Sequence, residues 1–549
     1  MPNTPFVKTG EFRSPVDYEV ADRRTVMMTI IAIIIAIGAG LAAQLLTSLI
    51  GLITNVAFYD RVSTLFVDPA GGHPHALKLL LVPVIGAVIV GFMARYGSSA
   101  IRGHGIPEVM ENVLFGGSRI APRVLVLKPI SAAIAIGTGG PFGAEGPIIA
   151  TGGALGSLAG QLIRITNDER KTLLAAGAAA GMAATFGSPV SAVLLAVELL
   201  LFEYRARSLV PVALAAVVAT GVRYVFHGTG PVFDMATVAP PTGSALATYG
   251  FIGLIVGIIA AGVTRVTYGI EDVFEYLGEK FHVHWMWWPT FGAIVVGVVG
   301  MIEPRALGVG YANISGVLTG SIAGTALVMI IVFKFIAWSV YLGSGTSGGT
   351  MAPLFTIGGA IGALLGTAIA SALPGLGVDP RVAGLVGMAA MFAGASHALL
   401  ASVVLAFETT RQPLGLLPLL AGCTAGYLAS LLLGKHSIMT EKLARRGTAI
   451  RPEYVADHLA HVMVRDAATR DVVSLKDDDI LDEVRAWVSS GAGQTTHQGF
   501  PVLNAEGLLV GVVTRRDILD PKNPGTAPLR DVVRRAPVVV YEDSTLRDA

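Results

Sequence analysis

The segment Gly143-Ala-Glu-Gly-Pro-Ile-Ile-Ala-Thr-Gly-Gly-Ala-Leu-Gly156 returns 206 residues later as Gly349-Thr-Met-Ala-Pro-Leu-Phe-Thr-Ile-Gly-Gly-Ala-Ile-Gly362. At the same offset, Gly181-Met-Ala-Ala-Thr-Phe186 matches Gly387-Met-Ala-Ala-Met-Phe392. With a small insertion, Leu195-Ala-Val-Glu198 then pairs with Leu405-Ala-Phe-Glu408. Blocks that keep one register and one order describe a duplicated unit, so the fold has to house two related halves. In each half a Gly-rich loop precedes a proline, and proline suits the first turn of a helix. Pro147 and Pro353 therefore open two helices whose N-termini can face each other.

The surroundings of these blocks are apolar. Of 549 residues, 53% are hydrophobic and 14% charged, with a mean hydropathy of +0.66. A soluble chain carries about 25% charged residues. This chain reads as an all-α polytopic membrane protein, with disorder excluded by the same composition. A net charge of +1 gives no basic footprint for nucleic acid, and the single cysteine, Cys423, excludes an internal disulfide framework. The polar segment 1–25 carries Lys8, Arg13, Arg23 and Arg24 and is expected in the cytoplasm. Val26–Ile50 is too long for a secretory h-region and reads as a first membrane helix.

Further apolar runs lie at about 77–95, 123–136, 146–163, 171–202, 208–226, 244–270, 287–303, 323–342, 353–373, 381–407 and 415–433. Several fall short of the ~20 residues that span a bilayer. Gly/Pro clusters break others, as at Gly137–Pro147 and Gly343–Pro353. Broken helices at membrane depth persist where they line a cavity, which points to a permeation site at the interface of the two repeats, about 77–226 and 287–433. Helix N-termini present N–H groups and a positive dipole end, so the substrate is expected to be an anion. Glu145 lies between Ala144 and Gly146 at such a terminus; a buried carboxylate there is a functional candidate, because its charged form can occupy the anion site itself. Trp285, Trp287 and Trp288 suit an interfacial aromatic belt.

Three loops in order, Gly103-His-Gly-Ile-Pro107, Gly143-Ala-Glu-Gly-Pro147 and Gly348-Gly-Thr-Met-Ala-Pro353, together with Phe186-Gly-Ser-Pro-Val190, carry a resemblance to the CLC family of chloride channels and chloride/proton exchangers. It extends from about Val26 to Gly447. The resemblance implies an inverted-repeat fold with broken helices, a homodimer with one pore per subunit, chloride or a similar small anion as the bound ion, and no required cofactor or catalytic activity. It also implies that Glu145 is the gate. The anion-binding set it implies is His104, Gly105, Ile106, Pro107, Gly146, Thr350, Met351, Ala352 and Met439.

The chain departs from the family at several of these positions. His104 stands where the family usually has Ser, or Pro in nitrate-preferring members, and its ring is either an anion donor or packed aside. Met351 replaces a common Phe. Met439, in Lys435-His-Ser-Ile-Met-Thr-Glu-Lys-Leu443, takes the place of a coordinating Tyr and has no donor to offer. The exchangers' inner proton glutamate aligns with Leu199, leaving Glu198 and Glu203 as candidates for a proton path. This loss favours passive conduction, with proton-coupled antiport as the alternative. Lys128, within Val124–Ile136, is a candidate pore cation or a snorkelling side chain.

Beyond Arg446 the composition turns polar and strand and helix patterns alternate: strand 472–475, helix 481–490, strands 499–503 and 508–513, and a helix from Thr514. With Gly499-Phe-Pro-Val-Leu-Asn504 and Gly511-Val-Val-Thr-Arg-Arg-Asp-Ile518, the region 448–549 resembles a cystathionine-β-synthase-type (CBS) regulatory pair, expected in the cytoplasm. Its second copy, from Leu529, is expected to be incomplete. Thr514 and Asp517 fit the resemblance's positions for an adenine nucleotide's ribose. Two other classes compete. His73/His75 and His282/His284 lack the i, i+4 spacing of a helical zinc motif, against an intramembrane enzyme. A cation carrier would want carboxylates and carbonyl ends at mid-membrane, where this chain offers helix N-termini.

Overall fold

The computed structural model describes residues 23–72, 75–163, 165–445, 462–491, 495–533 and scattered positions between 540 and 546. The chain divides at Tyr454/Val455 into a membrane unit and a C-terminal unit. The boundary expected at 447–448 and the N-terminal segment up to residue 22 lie outside the described residues.

The first half of the membrane unit contains α1 (Arg23–Tyr59), α2 (Ala76–Phe92), α3 (Ile106–Leu114), α4 (Pro122–Gly137), α5 (Glu145–Leu162), α6 (Asn167–Phe186), α7 (Pro189–Ala196) and α8 (Ala206–His227). The second half repeats this order as α9 (Gly243–Lys280), α10 (Trp288–Ile302), α11 (Tyr311–Thr319), α12 (Thr325–Gly343), α13 (Met351–Ala372), α14 (Pro380–Ser396), α15 (Leu399–Thr410) and α16 (Leu416–Leu433), followed by a short α17 (Glu441–Arg445). Packing repeats as well: α5 on α6 and α13 on α14, α1 on α8 and α9 on α16, while α2 meets its counterpart α10 and α7 meets α15. Eight helices are long and apolar enough to cross a membrane among the described residues. The fold is the inverted-repeat type with broken helices.

Two apolar runs expected as single stretches are each two helices, and the reason is local. After Phe186 the backbone turns left-handed at Gly187 (φ 61°), and Pro189 opens the next helix. The run 381–407 breaks the same way at His397 (φ 60°). A left-handed residue ends a helix, and a proline is pre-set to begin one. The α7 helix ends in a π-turn over Val197–Leu201. Trp285 and Trp287 lie in a short turn that leads into α10 at Trp288, and the Arg102 guanidinium lies 4.7 Å from the Trp285 ring centre.

The C-terminal unit holds α18 (Val464–Ala467), β1 (Leu475–Lys476), α19 (Leu481–Ser489), β2 (Gly499–Leu503), β3 (Leu509–Thr514), α20 (Arg515–Leu519) and α21 (Leu529–Val532). Its sheet has the order β1-β2-β3, with β1 parallel and β3 antiparallel to β2. Burial alternates along β2, placing Phe500 and Val502 against Leu481, Val488 and Ile518. The first strand is shorter and later than expected. Most of the second copy's expected strand and helix, 538–549, lies outside the described residues.

Candidate functional site

The three Gly/Pro loops meet. Gly143 and Gly349 exchange backbone hydrogen bonds, Gly143 N–H to Gly349 O at 3.1 Å and the reverse at 2.9 Å. Gly103 N–H donates to Thr346 O at 2.9 Å, and Gly103 pairs with Ser347 in an isolated bridge. Gly105 (φ 97°) leaves no room for a side chain, since a Cβ there would lie 2.3 Å from Gly146 O. Pro147 and Pro353 sit at the third residue of α5 and α13, in the first turn as the sequence suggests. The starts of α3, α5 and α13 are thus brought together, along with a fourth, α11, through Tyr311.

Glu145 is the first residue of α5 and fully buried (0% exposed). Its Oε1 accepts a hydrogen bond from the Tyr311 hydroxyl at 2.5 Å. Oε2 has no hydrogen-bond partner among the described residues, and lies where a Cβ on Gly143 would fall, beside Ala352. A carboxylate here is surrounded by helix starts, the environment that favours negative charge. It is also short of the hydrogen bonds a buried charge normally collects.

The two halves hold their loops with a matched pair of lysines. Lys128 on α4 is 1% exposed and donates to Ile101 O and Gly103 O, both at 2.8 Å. Lys334 on α12, 206 residues on, is 0% exposed and donates to Gly308 O at 2.6 Å and Ala306 O at 3.1 Å. Lys128 does not snorkel: its ammonium is buried and bonded to the loop that leads into α3. Sequence reasoning missed Lys334, although it stands at the same offset as the repeat. It missed Tyr311 too, despite a visible signal: Gly308-Val-Gly-Tyr311 mirrors Gly103-His-Gly-Ile106.

His104 is 5% exposed, and neither ring nitrogen has a partner among the described residues. It lines a cavity of about 670 Å³ with Arg102, Glu108, Tyr268, Glu271, Ile438 and Lys442. Glu108 closes a capping box, accepting from Gly105 N–H at 2.8 Å, and also pairs with Lys442 at 3.4 Å. Ile106, Pro107 and Gly146 are buried in the joined loops, as are Thr350, Met351 and Ala352 at the start of α13. The Thr350 and Thr346 hydroxyls lack partners among the described residues. Met439 is buried beside Ile438, whose carbonyl accepts the Tyr268 hydroxyl at 2.8 Å, so this hydroxyl is already engaged.

The two candidates for a proton path are occupied otherwise. Glu198, in the π-turn after α7, accepts the N–H groups of Leu400 (2.9 Å) and Ala401 (3.0 Å) at the start of α15. Glu408, near the end of α15, accepts those of Val190 (3.1 Å) and Ser191 (2.9 Å) at the start of α7. Each carboxylate caps the other helix, so the two run antiparallel and Glu198 is a structural cap. Glu203 accepts the Ser208 hydroxyl at 2.7 Å and faces Lys171 (3.7 Å) and Arg205 (3.6 Å). In the C-terminal unit, Thr514 and Asp517 form the capping box of α20, the Thr514 hydroxyl donating to Asp517 Oδ2 at 2.6 Å. Both ribose candidates are thereby engaged with each other.

No cluster of three or more metal-ligating side chains occurs among the described residues. Residues 464–521 match the family described as CBS domain. The chain is 28% identical over 370 residues to a putative chloride channel protein ClcB-like from Ralstonia nicotianae, covering 67% of this chain and 85% of the relative. It is 29% identical over 385 residues to the H(+)/Cl(-) exchange transporter ClcA from Vibrio parahaemolyticus, covering 68% and 80%. A slow cyanobacterial Cl-/H+ antiporter of known structure superposes with a TM-score of 0.68 at 20% identity, covering 78% of this chain and 98% of that one. Residues 85–431 match the family described as Voltage gated chloride channel, and the chain belongs to that family, the CLC proteins.

Proposed function

We propose that this protein exchanges chloride, or a similar small anion, for protons across a membrane, with Glu145 as gate and proton carrier. The observation that carries the reading is the fully buried Glu145 carboxylate, seated among converging helix starts with one oxygen unpartnered among the described residues. A charged carboxylate competes with the anion for the same N–H groups, and protonation removes the competitor. The name of the Vibrio relative, an exchange transporter, supports coupling over the passive conduction that Leu199 suggests.

The anion-binding set His104, Gly105, Ile106, Pro107, Gly146, Thr350, Met351, Ala352 and Met439 belongs to this proposal, with backbone N–H groups as the main donors. A homodimer with one pore per subunit, and a cytoplasmic tail that takes an adenine nucleotide when a full pair of CBS copies is present, are further parts of it. Reconstitution in liposomes with chloride and pH electrodes tests the core: an imposed chloride gradient should drive protons uphill, and Glu145→Gln should abolish that. Chloride flux with no proton movement in the unaltered chain would overturn the exchange reading. A passive pore is the second reading, favoured by one observation: Glu198 and Glu203, the carboxylates nearest Leu199 in sequence, are both engaged elsewhere.

A further inference from the structure

We propose that Tyr311 is a positioning residue that sets the pH at which Glu145 yields the pathway, by holding the charged carboxylate through its hydroxyl. The inference rests on Glu145 being the gate. Tyr311 is the first residue of α11, following Gly310 (φ 85°), and its hydroxyl is the side-chain donor to Glu145 Oε1 at 2.5 Å. Its aim is fixed by rings from three separate segments: Phe66 at 5.9 Å, Phe233 at 5.7 Å and Phe186 at 6.3 Å between centroids. In the other half the equivalent residue is Ile106, which has no donor.

The charged groups facing this pair are Lys334 from α12, Asp68 from the α1–α2 connection and Arg223 from α8. Each has other work. Lys334 bonds the Ala306 and Gly308 carbonyls, Asp68 accepts backbone N–H groups at Gly310 and Ala312, and Arg223 Nε donates to Thr185 O at 3.2 Å. Beside the backbone N–H groups of Glu145 and Ala352, the side-chain hydrogen bond to the carboxylate therefore comes from the phenol. A hydrogen bond to the ionised form favours that form, so the hydroxyl opposes the protonation that frees Glu145.

The test is chloride efflux from liposomes carrying the full-length chain, measured from acid to neutral pH. Tyr311→Phe keeps the ring in its aromatic cage and removes only the donor. It should move the midpoint of acid activation to higher pH by about one unit. In a Glu145→Gln background the same substitution should leave a flat profile unmoved. An unmoved midpoint in the single variant, or an equal change of flux in both backgrounds, overturns the proposal. Persistence of acid activation in Glu145→Gln alone removes the gate reading and this inference with it. Loss of that activation, with Tyr311→Phe silent, removes Tyr311 alone.

Discussion

The entrances to α3 and α11 are two versions of one device. In both, a Gly-x-Gly loop leads into a helix of nine residues, and a buried lysine from the following helix binds the loop's carbonyls. They differ in what the loop presents. The first offers His104, with ring nitrogens unpartnered among the described residues beside a cavity of about 670 Å³; the second offers Tyr311, whose hydroxyl goes to Glu145. The two entrances share a matched scaffold and diverge at a few side chains: one leaves ring nitrogens unpartnered among the described residues, and the other bonds a buried carboxylate. On the function proposed above, the chemistry lies where the halves stopped being alike.

The comparison breaks most severely if a shared scaffold position is altered. Gly105→Ala adds a Cβ 2.3 Å from Gly146 O on a left-handed backbone. It should cost about 3 kcal/mol or more and abolish transport, read as thermal unfolding in detergent and liposome flux. Next come the lysines. Lys334→Met and Lys128→Met each leave two or more buried carbonyls without their ammonium, and each should lower stability by about 2 kcal/mol. A loss in only one of them would show that the matched pair is not a matched function.

The reciprocal caps sharpen the comparison further. Glu198→Gln and Glu408→Gln should each cost about 1 kcal/mol, by similar amounts, with the proton-to-chloride ratio unchanged. A changed ratio in Glu198→Gln alone would return that residue to the proton path. The smallest effect is expected outside the repeat: Thr514→Ala removes the α20 cap and should destabilise the C-terminal unit by about 1 kcal/mol, read by hydrogen exchange in that helix.

Much of the backbone plan was legible before any coordinates. Glycine and proline fix where helices stop and start, so the joined loops, the buried Pro147 and Pro353 turns and the place of Glu145 at a helix start followed from Gly143–Pro147 and Gly348–Pro353. The pairing of side chains across the halves was harder to read. Tyr311 reaches Glu145 because α11 and α5 start at one point in space, 166 residues apart in sequence. Glu198 stood as a proton-path candidate because it neighbours Leu199, where the exchangers' inner glutamate aligns; its hydrogen-bond partner is a helix start more than 200 residues away. The partners of Lys128 were equally hidden, since a buried ammonium bonded to carbonyls and one that snorkels have the same sequence.

The exchange of caps between Glu198 and Glu408 has a consequence for how such a molecule comes into being. Severed between α8 and α9, either fragment would retain a carboxylate with nothing to bind and a helix start with nothing to close it. Neither fragment is self-sufficient, and co-translational assembly has to keep the early fragment waiting in the bilayer until Glu408 emerges to complete it.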